Sequence, residues 1–510
     1  MKTASSELFD LVHSLTSRER AYFKRFAGIH KHSSDSNYMK LFEAILKQEA
    51  YDETALKEQF KKNKLSRYFP RAKKYLYDKI LESMRLFHAE ASLSIQLKLQ
   101  INSTRFLYSK GLFKQAMKKA QQIKKEAEEA EYWAEYLAAS EIETSILSRT
   151  AYKGVSYEEL KKLGEAGMMA LTKYRENYQH YYLEKQMAYL LGRGGVSDEP
   201  EIEAIFQTVL AYNDLQGVSA KIQRLYTLAL CSENYSKKSK DAIRYYGEAI
   251  DLMETHPVIL EKGVDLYLFF VGRLLQLSID QSSFETNQVY LQRIKNNLLN
   301  NDFFDQNDKQ VQFIIRVEYY YYSLLCLFEF GEHEQTLPLL AESRENLQSE
   351  LSEIHPAYQL RFPYIYMLIY FFQGQFETAL EYANAAFEID IELHPNKEKV
   401  RLWLLFIHLE LGHHDLLEHL IRNTVRFWKK QGFYDETKQF WVEVLQKLLR
   451  TTSEPQVWRE TYEELKTQNI CHPNLSSNRW NAYVLSKFEN KPLKDTHRKL
   501  VLSQKIPVVL

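Results

Sequence analysis

One stretch of the chain leaves little choice of fold. Residues 364–372 are large and apolar without exception, Gly374 interrupts them, and Phe376, Ala379, Ala383 and Ala386 follow at spacings of three and four. That spacing places side chains on one face of an α-helix. Alanine on the face lets a second helix approach closely, and the intervening glycine reads as the stop of the first helix. Residues 364–389 therefore predict an antiparallel helix pair. Such a pair has apolar faces that it cannot bury alone.

Weaker copies surround it. One holds Gly111, Phe113, Ala116 and Ala120, and another Ala242, Tyr246 and Ala249, with Pro257 beyond the helix. A third holds Gly331, His333 and Leu340, and a fourth Gly412, His414, Leu417 and Ile421. Only 16 Gly and 11 Pro occur in 510 residues, too little punctuation for an all-β or α/β chain of this length. The 35 Tyr and 28 Phe are read as fillers between neighbouring helix pairs.

The pattern resembles the tetratricopeptide repeat, whose glycine ends helix A and whose small residues admit helix B. The resemblance implies an all-α fold, a right-handed α-α superhelix with a concave inner face. Gly331 to Gly374 is 43 residues and Gly374 to Gly412 is 38, both above the roughly 34 of the standard repeat. Longer helices or loops are expected. Counting back from the glycines, the resemblance puts Tyr321, Leu325, Phe328, Arg361, Tyr364, Leu368, Phe371, Leu402, Phe406 and Leu409 at groove-lining positions of helix A. The repeats that clamp a terminal carboxylate carry Asn where Leu325, Leu368 and Phe406 stand here. The groove read from Tyr321, Leu325, Phe328, Arg361, Tyr364, Leu368, Phe371 and Phe406 is therefore expected to grip a protein or peptide by apolar and aromatic contacts, with Arg361 as a cation among rings.

Three segments are expected: a basic helical unit over 1–90, the repeat array over 91–450, and capping helices with a tail over 451–510. The first 90 residues hold 18 Lys and Arg against 12 Asp and Glu, although the whole chain is balanced at 67 each. Helices are expected over 6–15, up to 26, over 38–47 and 53–62, and from 66 or 68 to 88, the last with a stripe of Tyr75, Ile80, Met84 and Phe87. Thr16 to Glu19 reads as a capping box. The break before the last helix has the outline of a helix-turn-helix. Lys61, Lys62, Arg67, Arg71, Lys73 and Lys74 are then candidate contacts to DNA or RNA. Helices over 457–465 and 480–488 are expected to cap the array, and 491–510 to be a docked strand or coil, or a free tail.

Chemistry is harder to find. Gly192, Gly194 and Gly195 lack the Lys-Ser/Thr of a phosphate loop, and no nucleophile elbow or His-Glu-x-x-His helix occurs. His408, His413, His414 and His419 crowd one repeat, but two of them straddle a turn where polar residues are ordinary. Arg and His at ribonuclease-like spacing (Arg25 with His30 or His32, Arg175 with His180, Arg401 with His408) occur about as often as chance allows. The three cysteines are scattered, which fits a reducing compartment. Neither an amino-terminal apolar leader nor an apolar run long enough to span a bilayer is seen. The reading is a cytoplasmic, non-catalytic scaffold or adaptor needing no cofactor or metal. The alternative is a regulator whose basic amino-terminal unit binds nucleic acid.

Overall fold

Every regular element described is helical, as the shortage of Gly and Pro requires. The computed structural model describes residues 6–29, 37–61, 68–88, 93–192, 200–212, 214–234, 238–280, 284–299, 309–348, 350–391, 394–468 and 476–505. The chain divides into two compact units, Met1–Tyr174 and Arg175–Leu510, with the boundary inside one long helix.

The first unit begins with α1 (Glu7–Ser14), α2 (Ser17–Ile29), α3 (Asn37–Leu46), α4 (Glu53–Gln59) and α5 (Phe69–Phe87). Thr16 and Glu19 form the expected capping box. The Thr16 amide donates to Glu19 Oε2 at 2.8 Å, and the Glu19 amide to Thr16 Oγ1 at 3.3 Å. Leu8, Val12, Phe23, Leu41, Phe42, Leu56, Phe69, Leu76 and Ile80 share one small core. The stripe on α5 runs through Leu76, Ile80 and Ser83, one residue away from the expected Tyr75, which is 48% exposed. Leu76 and Ile80 are one helical turn apart and point inward together, whereas Tyr75 is rotated by about 100° and meets Tyr38 edge-on.

The same unit continues with α6 (Leu93–Ser109), α7 (Phe113–Glu129) and α8 (Trp133–Arg149), then enters α9 (Tyr157–Gly192). Ala116, Ala120 and Ala127 are fully buried, and α7 packs closely on its neighbours there.

In the second unit come α10 (Pro200–Ala211), α11 (Val218–Asn234), α12 (Ser239–Glu254), α13 (Pro257–Lys262), α14 (Val264–Asp280) and α15 (Phe284–Ile294). Then follow α16 (Lys309–Glu329), α17 (His333–Leu347), α18 (Pro356–Gln359), α19 (Arg361–Phe372), α20 (Phe376–Glu388), α21 (Pro395–Glu410), α22 (His414–Gln431), α23 (Glu436–Arg450) and α24 (Glu454–Gln468). These form tetratricopeptide-like pairs: α16 with α17, α19 with α20, α21 with α22 and α23 with α24. One core runs from Ile222 to Val501. Ala379, Ala383 and Ala386 are buried on the inner side of α20, as their spacing predicted. On α14, Gly272 is fixed by a neighbour: a Cβ there would lie 2.1 Å from the Tyr322 hydroxyl.

The stop signal is the same in each glycine-marked pair. Gly111, Gly331, Gly374 and Gly412 have φ between 70 and 75°. At Gly374 the amide donates to Phe371 O (3.0 Å) and that of Gln375 to Tyr370 O (2.9 Å), which closes a Schellman motif. Gly111, Gly331 and Gly412 repeat the bonding. After α7 and α8 the motif recurs with Glu131 and Ala151 as its left-handed residues, at φ 52 and 51°. Those turns carry no glycine and so were invisible to the repeat pattern. The chain ends in α25 (Ser476–Glu489) and α26 (Leu493–Lys505). The segment expected as strand, coil or free tail is thus helical through Lys505. Leu493, Thr496, His497, Leu500 and Val501 supply the inward stripe; 506–510 lie outside the described residues.

Candidate functional site

The eight groove positions lie on α16, α19 and α21, but most of them are not free. Leu325 is 3% exposed, and Phe328, Leu368, Phe371 and Phe406 are wholly buried. The expectation that these five meet a partner is corrected: they are core. For Phe328, Phe371 and Phe406 the cover is the chain's own carboxyl-terminal hairpin. His497 lies 5.4 Å from Phe328, Tyr483 5.5 Å from Phe371, and Trp480 4.9 Å from Phe406, between ring centroids.

Helix α25 is seated by directional contacts as well as by burial. Arg479 Nη1 donates to the Tyr364 hydroxyl at 2.8 Å, and its other terminal nitrogen to Glu329. The indole of Trp480 stacks on Trp403 at 4.0 Å and on Trp441 at 4.3 Å. Tyr483 donates its hydroxyl to Glu410, and Lys487 bonds the other oxygen of the same carboxylate. Burial and Glu410 together raise the Tyr483 phenol far above its ordinary value, which keeps it a donor. From α26, a ring nitrogen of His497 lies 3.1 Å from one of His333. Burial, and then Lys494 and Arg498, lower His333 to about 4; burial first, then His333 and Arg479, lower His497 well below the ordinary imidazole range. The two neutral rings can therefore share one N–H···N bond.

Of the other three, Tyr321 and Arg361 keep a foothold outside the core, whereas Tyr364 belongs to it and is corrected likewise. Arg361 donates to Glu318 through Nη1 alone, with both carboxylate oxygens 2.7 Å away, and its guanidinium sits 5.2 Å over Tyr321 and 4.7 Å over Tyr358. Burial opposes its charge but is outweighed by Glu318, Tyr322 and Tyr321, so its pKa is raised and it stays a cation. Tyr321 and Arg361 are half-buried, while Tyr364 is 4% exposed.

Lys399, on the first turns of α21, went unremarked in the sequence. It is exposed, with its ammonium 5.8 Å over the Tyr364 ring, and has no hydrogen bond or ion pair among the described residues. Desolvation nevertheless lowers its pKa, as expected of a lysine that solvent reaches but protein surrounds. His394, which caps α21, is lowered by burial first and then by Arg361 and Lys399. Tyr321, Tyr358, Arg361 and Lys399, grouped around the buried Tyr364, thus form an aromatic patch with a spare positive charge.

Elsewhere the polar groups are already committed. His408 and His413 face each other, with ring nitrogens 3.1 Å apart, while His419 is bonded by Arg422. Among the described residues no three His, Cys, Asp or Glu side chains could share a metal ion. His180 is buried without a hydrogen-bond partner in either ring position, and burial, then Arg224, lower it to about 4. In the first unit an open trough of about 800 Å³ is walled by Phe113, Met117, Ile146, Leu147 and Leu163. Its Glu143 is tied to Lys124 and Gln121, and its Glu159 caps α9 through Ser156. No acid, base and nucleophile converge there.

The basic amino-terminal cluster is smaller than the sequence suggested. Lys73 points into the fold, where its ammonium bonds the Tyr51 hydroxyl at 2.6 Å and Glu53 at 2.9 Å. Glu53 is lowered to about 2, chiefly by its hydrogen bonds from Lys57 and Lys73. Arg71 and Lys74 are exposed, and so is Lys61, which pairs with Glu58. Lys62 and Arg67 lie outside the described residues, as do His30, His32 and 193–195. No described helix is long and apolar enough to cross a membrane.

No protein-family profile matches the chain, and no curated protein matches it. Among solved structures it is similar to the apo form of RapI, with a TM-score of 0.45 and 12% identity over 80% of this chain and 97% of that one. It is similar also to NprR in complex with its cognate peptide NprX, with a TM-score of 0.39 and 11% identity over 74% of this chain and 98% of that one. The apo form of the quorum sensor NprR from B. thuringiensis gives 0.41 and 12% over the same shares.

Proposed function

We propose that this protein is a non-catalytic scaffold that holds a protein or peptide against helix A of successive repeats in its second unit. The contact is made where the carboxyl-terminal hairpin leaves the face open, at Tyr321, Arg361 and Lys399, beside the buried Tyr364. The observation that carries this reading is Lys399, an exposed ammonium over the Tyr364 ring with no hydrogen bond or ion pair among the described residues. A partner that supplies an anion or a ring could engage this cation without breaking an existing ion pair. Arg361 already holds Glu318 through Nη1 and lies over the Tyr321 and Tyr358 rings, which leaves the unpaired charge to Lys399.

The test is partner recovery from lysate of the source cells by the wild-type chain and by Lys399→Glu, compared by quantitative mass spectrometry. The reading expects a protein that the wild type recovers and Lys399→Glu loses. Equal recovery by both would remove the open face from the account.

A second reading rests on the exposed Lys61, Arg71 and Lys74, which would meet nucleic-acid phosphates. It expects salt-dependent binding to DNA or RNA that disappears when the three are changed to Glu. Absence of binding at low salt would end it.

A further inference from the structure

The helix α25 shows what chemistry the inner face accepts. Its array-side contacts are not only apolar: Arg479 answers Glu329, and Tyr483 with Lys487 answers Glu410. Glu329 is 1% exposed at its side chain and Glu410 8%. A carboxylate this deep cannot be left unpaired cheaply. Any competitor for this stretch must therefore bring cations to the same two places, as well as a flat ring for the slot between Trp403 and Trp441. Arg479, Tyr483 and Lys487 are one turn apart on a single face, with Trp480 beside them, so the requirement is met by a helix and not by an extended strand.

We propose that α25 is a resident occupant of a helix-binding groove, and that the groove's external partner is a protein helix with the same basic and aromatic pattern. That pattern is Arg, Trp, Tyr and Lys at positions i, i+1, i+4 and i+8. The proposal rests on the reading of the helix-A face as a partner surface, extends it from the open stretch to the stretch under α25, and adds the partner's chemistry. Because α25 is tethered, it competes at high effective concentration, so an external helix binds only in proportion to the fraction of chains whose α25 has left.

The experiment uses the full chain and a labelled synthetic peptide of residues 476–489, followed by fluorescence anisotropy. Trp480→Ala weakens the resident helix and is expected to raise affinity for the peptide at least tenfold over wild type. The same peptide carrying Arg479→Glu is expected to lose at least tenfold on the variant. A folded Trp480→Ala chain that binds neither peptide, or both equally, overturns the proposal. So does a Trp480→Ala chain without a cooperative thermal transition, because α25 would then be inseparable from the core. Hydrogen exchange on the wild type is the independent check. Amides of α25 are expected to exchange through an opening of lower free energy than those of α19 and α21; exchange of all three together overturns the proposal. These outcomes are separate from the loss of partner on Lys399→Glu, since Lys399 makes no hydrogen bond or ion pair with α25 among the described residues and meets only the Tyr364 ring.

Discussion

Arg479→Met tests how the carboxyl-terminal hairpin is held. The substitution keeps the length and apolar stem of the side chain but removes the charge that answers Glu329 and the donor to Tyr364. Glu329 and Arg479 are 1% and 10% exposed at their side chains, so water cannot take over from the lost partner. Removing one member of such a pair costs about 3–5 kcal/mol, whereas replacing both by apolar residues is close to neutral. An exposed pair, such as Lys61 with Glu58, is worth about 1 kcal/mol or less. The assay is urea unfolding of wild type, Arg479→Met, Glu329→Met and the double variant, followed by circular dichroism. Each single variant is expected to lose several kcal/mol, and the double variant to regain most of it. A loss under about 1 kcal/mol for Arg479→Met would refute the view that this pair is a buried commitment rather than a surface contact.

Three further outcomes are expected. His333 has an ordinary value of 6.5 and is lowered to about 4 in the fold, so the unfolded chain binds the extra proton between those pH values. Stability should then fall as pH drops from about 6.5 to 4 and level off below, by about 3 kcal/mol for this group, with His180 adding a drop in the same window; acid unfolding midpoints of His333→Phe would show a flatter profile, and an unchanged profile contradicts the buried neutral pair. Gly374→Ala should cost about 1 kcal/mol by thermal denaturation, since the turn needs φ 75° and no neighbour blocks a Cβ. Ala151→Gly should stabilise by roughly 0.5–1 kcal/mol, because the wild type already holds alanine at φ 51°; destabilisation would mean that the left-handed turn is not the native one.

Much of the helix pairing was legible in the sequence because its stop signal is chemical. Wherever the left-handed turn residue is glycine, as at Gly111, Gly331, Gly374 and Gly412, the pair could be read directly. Where Glu131 or Ala151 serves the same turn, the motif is made by backbone bonds that no residue type announces. The length of α9, 36 residues, likewise obscured the repeat period between Gly111 and Gly331.

The site was legible only in outline. Counting along helix A found a row of positions that includes Tyr321, Arg361 and Tyr364, but the same count could not say what covers Phe371 or Phe406. That cover comes from Trp480 and Tyr483, which are remote in sequence, and a helical stripe at 480–488 looks the same whether it caps an array or lies along it. Lys399 was missed because a lysine near a helix start is usually a solvated one. Only its place over Tyr364, with no acid beside it, singles it out. Lys73 was misread for the opposite reason: a lysine run gives no sign that one member turns inward to Tyr51 and Glu53.

The helix-A face around Lys399 is the proposed partner contact. A photo-crosslinking amino acid at position 399, compared with one at the exposed Asn384 of helix α20, reads that contact directly in the source cells. Crosslinks to one protein from 399 and none from 384 are predicted. Crosslinks from 384 alone, or from neither position, would contradict the claim.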